Sequence, residues 1–436
     1  MSNIGICRTR LKELFSGHGL GAIRKSLDDR LIGDVAARVG LVTRERLFTP
    51  LVTVLCCVFG QLQRGLSLRK VEDWLFGFSG NPGRRYGKAL SDARARLPVR
   101  FFAELIHALG LRSMASGGLC REGLRVVLVD GTTMPMARTK LNSDHFGHAG
   151  NQIRKSCLPV ARILLMLCGG TGAAVHAAVA AYRTSEMALL LAALHRLPPQ
   201  CLLLGDRFFA SWLVLWRLTQ QGCHGLFQVH QTRKLSCHAW PGDADYCEVW
   251  RRPGLAHTAN GESLRHAPKE LRVRIIRRRV EGRWLVLCTT LLDEKRWPAD
   301  ELVNLHAERW KVELAIRHLK ADHLPAVVRA KGPDAVANEI AAAVLAYNAV
   351  RLVMSEAGAD PWRLSHARAG ALIVHASERM REAHWSKLVA IFANLLNQIR
   401  LTRTELQPRA PCPRVLLPRR TRFPVHPDFS TAKDAA

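Results

Sequence analysis

Acidic residues are scarce in this chain. Its 36 Asp and Glu stand against 64 Lys and Arg, which leaves a formal charge of +28 over 436 residues. That deficit makes a small acidic metabolite a poor main target and points to a polyanion, of which nucleic acid is the commonest. Cys-x2-Cys spacings are also missing. The twelve cysteines are scattered, mostly inside apolar runs such as Leu55-Cys56-Cys57-Val58, the placement of reduced core thiols in a reducing cytoplasm. Cys237, His238, Cys247 and His257 are close in sequence, but their spacing fits no standard zinc finger, and ordinary positions are the better reading. Met1 to Leu14 carries Arg8, Arg10, Lys12 and Glu13 with no apolar stretch between them, so no export signal is expected. A membrane span is not expected either, because Gly169-Gly170-Thr171-Gly172 splits the uncharged stretch Ile163 to Tyr182 into the two halves of a hairpin. With 48% hydrophobic and 23% charged residues, wholesale disorder is excluded, and the length allows two or three domains of roughly 150 residues.

Residues 1–117 have helical periodicity with a basic face of Arg84, Arg85, Lys88, Arg94, Arg96 and Arg100. A DNA-binding helical domain is the leading reading, and a solvated surface on a packing domain is the alternative. The Gly117-Gly118 pair makes a boundary. In 118–231 the period shortens. A buried strand at Arg125 to Val129 is predicted to end at Asp130-Gly131, and a second at Cys201 to Leu204 to end at Gly205-Asp206. Around them come the hairpin, helices at Ser185 to Leu197 and Phe209 to Gln221, and a strand at Gly225 to Val229, an α/β arrangement. Residues 232–292 break this rhythm as a β-rich insertion, with a basic hairpin turning at Glu281-Gly282. Residues 293–405 return to helices, predicted from Pro298 to Lys320 and from Pro333 to about Gly358. The proline- and arginine-rich tail, 406–436, reads as a basic, extended or disordered arm.

Strand ends at the carboxyl edge of an α/β sheet hold side chains rigidly where ligands bind. Asp130 and Asp206 both fall there. Singly, each Asp is more often a turn former; as a pair they repel unless a cation lies between them. On the helix from Pro298, His306, Arg309, Glu313, Arg317 and Lys320 share one stripe beside the apolar Leu302, Leu305, Val312, Ile316 and Leu319, so the charged stripe is predicted at the rim of the buried face. An ordinary salt-bridged face, with Arg309 and Glu313 as an i, i+4 pair, fits the same spacing.

The spacing His306-x2-Arg309-x3-Glu313-x6-Lys320 resembles the Tyr-x2-Arg-x3-Glu-x6-Lys signature of DDE transposases of the insertion sequence four family. Leu128-Val129-Asp130-Gly131-Thr132 and Leu204-Gly205-Asp206-Arg207-Phe208-Phe209 look like its two Asp strands, and Glu339 to Arg351 like its following helix. Leu47-Phe48-Thr49-Pro50 and Ser91-x2-Arg94-x-Arg96-Leu97 look like its N-terminal region. The resemblance implies an RNase-H-like catalytic core with a mostly β insertion, preceded by an all-helical N-terminal domain. It implies Asp130, Asp206 and Glu313 as catalytic residues holding two Mg²⁺ ions, with Mn²⁺ able to substitute. His306, Arg309, Lys320, Arg207 and Arg317 would contact DNA, and Trp240, Trp250 and Trp284 are candidates for stacking a flipped base. The implied partners are double-stranded DNA, as element ends and target, and a second copy of the chain in a synaptic complex, in the cytoplasm at the nucleoid and away from membranes. The implied reaction is metal-dependent cleavage and strand transfer. Two rivals stay open: a nuclease or resolvase without strand transfer, and a catalytically impaired DNA-binding derivative. His306 stands where the signature has Tyr; on the predicted stripe its ring faces DNA, where a phosphate moves its pKa up from about 6.5.

Overall fold

The computed structural model describes residues 23, 27–42, 48–63, 66–71, 87–117, 121–150, 155–230, 232–239, 241–254 and 264–404. Arg84, Arg85, Trp240, His257 and the tail 406–436 lie outside the described residues.

Branched aliphatic residues from Val126 to Val129 start strand β1, Arg125–Pro135. The sequence predicts its end at Asp130-Gly131, but the strand runs on. Its far half is held by the long antiparallel strand β3, Lys155–Cys168, in a register that runs from Val127↔Cys168 to Pro135↔Val160. A turn through Gly169, Gly170 and Gly172 leads into β4, Ala174–Ala181, which folds back on β3. The uncharged stretch is therefore the hairpin its glycines predict. The short β2, His148–Gly150, also pairs with β3. On the other side of β1 lies β5, Cys201–Gly205, and beyond it β6, His224–Gln228, both parallel to β1.

The strands of residues 232–292 extend this same sheet. β7, Ala244–Arg251, pairs with β8, Glu270–Val280, and β8 with β9, Arg283–Thr289. Glu281 and Gly282 both have positive φ, 48° and 77°, as a two-residue hairpin turn that matches strand twist requires. β9 then pairs with β6. Among the described residues the sheet has nine strands in the order β2-β3-β1-β5-β6-β9-β8-β7, with β4 on β3.

Side-chain alternation gives the sheet two buried faces. Leu128, Leu202, Leu204 and Leu226 point to one, where Ile340 and Val344 join them. Val127, Val129, Leu203 and Phe227 point to the other, with Leu190, Leu215 and Leu218. Helix α6, Glu186–Ala193, and α7, Trp212–Gln220, supply that second layer. The first layer centres on α10, Pro333–Glu356, which is long and apolar enough to cross a membrane but is 89% buried inside the fold. Around α10 pack α2, Pro50–Leu62, and α4, Val99–Ser116. The other helices in the described part of 23–117 are α1, Asp29–Arg38, and α3, Gly87–Ala95. Asp28 and Thr49 cap α1 and α2 through their side-chain oxygens. A short α5, Lys140–Phe146, follows β1. Two helices, α11 His366–Glu382 and α12 Leu388–Arg400, close the chain's described end.

The single helix predicted from Pro298 to Lys320 is two helices, α8, Ala299–Ala307, and α9, Trp310–His318, followed by a π-turn at Leu319–His323. No proline causes the break. The backbone tightens to i, i−3 bonds, Arg309 N to His306 O at 3.0 Å and Val312 N to Arg309 O at 3.1 Å. That tightening redirects the chain so that α8 sits on β6 and α9 on β1.

Where α4 crosses β4, a Cβ on Gly110 would lie 2.4 Å from the Cα of Val175 and 2.7 Å from the Ala174 carbonyl oxygen. Both are backbone atoms and cannot rotate away. Gly110→Ala is expected to destabilise the fold by about 2–3 kcal/mol, read as a lower urea midpoint. An unchanged midpoint would show that the helix and hairpin are not packed this closely.

Candidate active site

Parallel pairing between β1 and β5 ends at Leu128↔Leu204. Asp130 and Asp206 each lie two residues further on. Within β1, even parity points Asp130 to the Leu128 face, on which α9 packs against β1, and Asp206, the first residue past β5, is near enough for its charge to act on Asp130. The strand edge expected from sequence is corrected in one respect. Asp130 is inside β1 and becomes an edge residue only relative to β5, which stops one residue before Asp206.

Asp130 Oδ1 accepts a 2.7 Å hydrogen bond from Gly131 N, and Asp206 Oδ1 one of 2.8 Å from Phe208 N. Burial pushes the Asp130 carboxyl up to about 6; the Asp206 charge adds to the rise, while the Gly131 bond and Arg309 oppose it. Arg309 is also the partner of Glu313, with Nη2 to Oε1 at 2.9 Å. It thus links the half-buried Asp130 to the third carboxylate, which is over half exposed. The i, i+4 pair expected as the ordinary reading is present. Among the described residues no three His, Cys, Asp or Glu side chains converge on a point able to hold a metal ion. The oxygen donors of Asp130 and Asp206 nonetheless suit a hard divalent cation, whose charge would relieve what raises Asp130.

His306 does not sit where the stripe predicts. It is 7% exposed, its ring lies against the backbone of Gly205, and burial, with Arg309 nearby, holds its pKa down at about 4 instead of up. The correction has a physical cause: the tightened turn at Glu308 and Arg309 rotates α8 relative to α9, so one period cannot be continued through both. His306 therefore supports the end of β5 from beneath, one residue before Asp206. Lys320 falls in the π-turn and so leaves the stripe as well, whereas Arg317 stays exposed on α9 and Arg207 is exposed beside Asp206.

Trp250 is corrected too. It is buried under the guanidinium of Arg233, 3.8 Å from its ring centre, and cannot receive a base. Trp284 is 41% exposed, with Arg277 at 3.9 Å over its ring. It lies three residues past the Leu287↔Gln228 rung of the antiparallel β9, toward the sheet edge that carries Asp130 and Asp206. Trp240 lies outside the described residues.

Sequence reasoning missed the reverse of β1. Gly131 points to the second face, where a Cβ would come within 2.1 Å of the Glu186 side chain. Glu186 is fixed there by Arg162 at 2.6 Å, and Arg162 also donates to the Tyr182 carbonyl. The glycine after Asp130 is thus required by an ion pair assembled from β3 and α6, with no local signal in the chain. Two exposed aromatics beside the site, Phe208 and Trp310, were also passed over; only their chain position next to Asp206 and Arg309 could have marked them. In α10, Tyr347, Asn348 and Arg351 fasten the β3–β4 turn. Asn348 brackets Ala174 N and O at 2.6 and 2.9 Å, Tyr347 donates to Gly172 O, and Arg351 to Thr171 O.

Comparison with known proteins bears on what this edge belongs to. The model of the family described as "Transposase DDE domain" matches residues 121–349, the span from β1 to the middle of α10. The chain belongs to the transposase DDE domain family. The chain is also 23% identical over 428 residues, 93% of each chain, to the transposase InsG of insertion sequence element IS4 from Escherichia coli (strain K12), in line with the insertion-sequence signature. A solved structure, the piggyBac transposase synaptic complex with hairpin DNA, superposes with a TM-score of 0.45 at 10% identity, covering 88% of this chain and 86% of that one. Within this transposase family member, the two Asp residues and the Glu-bearing helix fall inside the matched span.

Burial of His306 fixes the sign of its effect on stability. The folded chain keeps the ring neutral to about pH 4 while the unfolded chain protonates near 6.5, so its contribution is complete above 6.5 and is lost as pH falls from 6.5 toward 4. His318, His323 and His366, also driven down by burial, act in the same direction. Asp130, raised to about 6, acts in the opposite one. His306→Ala is expected to cost about 2–4 kcal/mol at pH 7.5 and to flatten the acid limb of a urea-unfolding pH series. A variant curve parallel to wild type would mean the ring is not buried neutral.

Proposed function

We propose that this chain is the transposase of a bacterial insertion sequence, which binds the terminal inverted repeats of its element, cuts DNA there and joins the freed 3′ hydroxyl to target DNA. The observation that carries the reading is the meeting of Asp130 and Asp206 just past the β1–β5 ladder, with Arg309 acting on Asp130 and paired to Glu313, inside the matched family span. An RNase-H-like core is supported by the order β4-β3-β1-β5-β6, antiparallel up to β1 and parallel after it. On this reading residues 1–117 bind DNA, 118–231 and 293–405 form the core, 232–292 are its insertion and 406–436 a basic arm. The protein works in the cytoplasm at the nucleoid, as a homodimer on paired ends.

Asp130, Asp206 and Glu313 would hold two Mg²⁺ ions, Mn²⁺ substituting, whose chemistry there is to make an oxygen nucleophilic and to neutralise charge on the leaving oxygen. The protein's own residues do the rest. A DNA phosphate offers Arg309 a bidentate partner; taking it, Arg309 releases Glu313 toward the Asp pair. Arg207, Arg317 and Lys320 grip flanking phosphates as further positive charges. Trp284, exposed at the catalytic edge, offers a ring to an unpaired base. His306 keeps the end of β5, and with it Asp206, in place.

Joining of labelled end DNA into a plasmid with Mg²⁺ tests the reading. Asp130→Ala, Asp206→Ala and Glu313→Ala should each abolish cleavage and joining while leaving end binding nearly intact; joining at a tenth of wild type or more would remove that residue from the machinery. Cleavage by wild type with no joining would turn the assignment to a nuclease. Arg309→Gln carries a sharper expectation. Without DNA it should bind Mn²⁺ more tightly than wild type, because Glu313 is no longer held away, yet join DNA less well. Weaker Mn²⁺ binding would show that Arg309 does not restrain Glu313.

A further inference from the structure

The far edge of the sheet carries a second concentration of positive charge. Where β7 ends and β8 begins, Arg251, Arg252, Arg265 and Lys269 line a cavity of about 520 Å³ together with Pro253, Gly254, Leu264 and, as the one carboxylate among the described residues, Glu270. Arg252 is braced into its wall. Its Nη1 donates to the carbonyl oxygens of Leu264 at 2.5 Å and Ala267 at 2.9 Å, and its backbone N to Lys269 O at 2.8 Å. Glu270 neutralises little, since Arg251 Nε is 3.9 Å from it and both side chains are well exposed. The opening is thus a fixed guanidinium ringed by three more cations, with a leucine and a proline between them.

Its place follows from register. Gly205, Phe227, Cys288 and Ile275 form one row across β5, β6, β9 and β8, and Glu270 lies five residues below Ile275, away from Asp206. Strand rise and spacing put the cavity roughly 25 Å from Asp206, on the opposite edge of the sheet. We infer that this cavity holds phosphodiester groups of duplex DNA, as a grip separate from the catalytic edge. The inference rests on the DNA-joining reading above and deepens it. At 3.4 Å per base pair, the separation corresponds to roughly seven base pairs, so one duplex leaving the catalytic edge can reach both. Four cations against one carboxylate match a polyanion's repeating charge, and the exposed Arg272 beside them on β8 continues the positive track. Among the described residues no aromatic ring lines the cavity, which fits backbone contact and not base stacking.

The test uses the full-length chain and a fluorescent 40-base-pair duplex from the DNA flanking its coding region, titrated by anisotropy across 50–200 mM salt. Arg265→Ala/Lys269→Ala should raise Kd about tenfold and lower the log–log salt slope by about 2, since each lost phosphate contact removes about 0.9. Affinity for a hairpin-closed duplex of about four base pairs, roughly 14 Å long and too short to span both sites, should be unchanged. Arg265→Lys/Lys269→Arg should restore most of the long-duplex affinity, a readout that a purely structural role would not give. Equal Kd and slope in wild type and the alanine variant would overturn the inference. So would competition by millimolar inorganic phosphate that removes the whole difference between them, because the cavity would then be a site for the free ion. Loss that is equal on short and long duplexes would also overturn it, as a fold defect. Absence of binding by wild type itself would instead sink the DNA-joining reading and the inference with it.

Discussion

Everything at the site hangs on the parallel register of β1 and β5. A slip of one residue would send Asp130 to the opposite face, into the space that Glu186 and Arg162 occupy. The register is protected on both sides. β3 holds β1 over a continuous antiparallel ladder through Asp130 itself, and β6 holds β5 up to Gly205. Gly205 permits this closeness, because a Cβ there would meet Phe209, Val129 and Phe227 within 3.2 Å. Two glycines beside two aspartates thus have different tasks: Gly131 leaves room for an ion pair behind the sheet, and Gly205 for the aromatic packing that ends β5.

The helix above the sheet answers the same constraint. α8 has to reach β6 so that His306 can meet Gly205, and α9 has to reach β1 so that Arg309 and Glu313 stand over Asp130. A straight helix cannot satisfy both, and i, i−3 bonds from the N–H groups of Glu308, Arg309, Lys311 and Val312 carry the chain through the change of direction. A π-turn at Leu319–His323 then repeats the device in the opposite sense. It brings His323 under α2, where its Nδ1 bonds Gln61 O at 3.3 Å, and Asp322 to His366 at 3.0 Å.

These interruptions explain how much of the molecule was legible. Strands, the β3–β4 hairpin, the Glu281-Gly282 turn and helix α10 were readable because each is set by local alternation, glycine or an uninterrupted apolar run. So were Asp130, Asp206 and the Arg309–Glu313 pair, which depend on spacing within one element or on two strand ends. What failed was anything that carried one period across a break. His306 and Lys320 were placed by continuing 100° per residue through a tightened turn and then a π-turn, and His306 came out on the wrong face. Trp250 and Trp284 look alike in sequence; only the pairing of β7, β8 and β9 makes one a core residue and leaves the other at the rim. The Arg162–Glu186 pair joins residues 24 apart on different elements and has no periodic trace at all.

The charge of +28 does not by itself make the site receptive to carboxylates. Across water at physiological salt, charges are screened within about 8 Å, so the many exposed Arg and Lys residues cannot hold down a buried acid. Asp130 is raised to about 6 in spite of them, and among the leading influences on it Arg309 is the only positive charge. Arg309 therefore has two carboxylates to serve, Asp130 through space and Glu313 by direct contact. A third anion arriving at Arg309 must weaken one of those claims. The Glu313 contact is the exposed one and the cheaper to give up, whereas Asp130 is held by its strand. Under the proposed function this would order the steps: phosphate bound first, the exposed Glu313 contact given up second, and Glu313 able to join the Asp pair only after that.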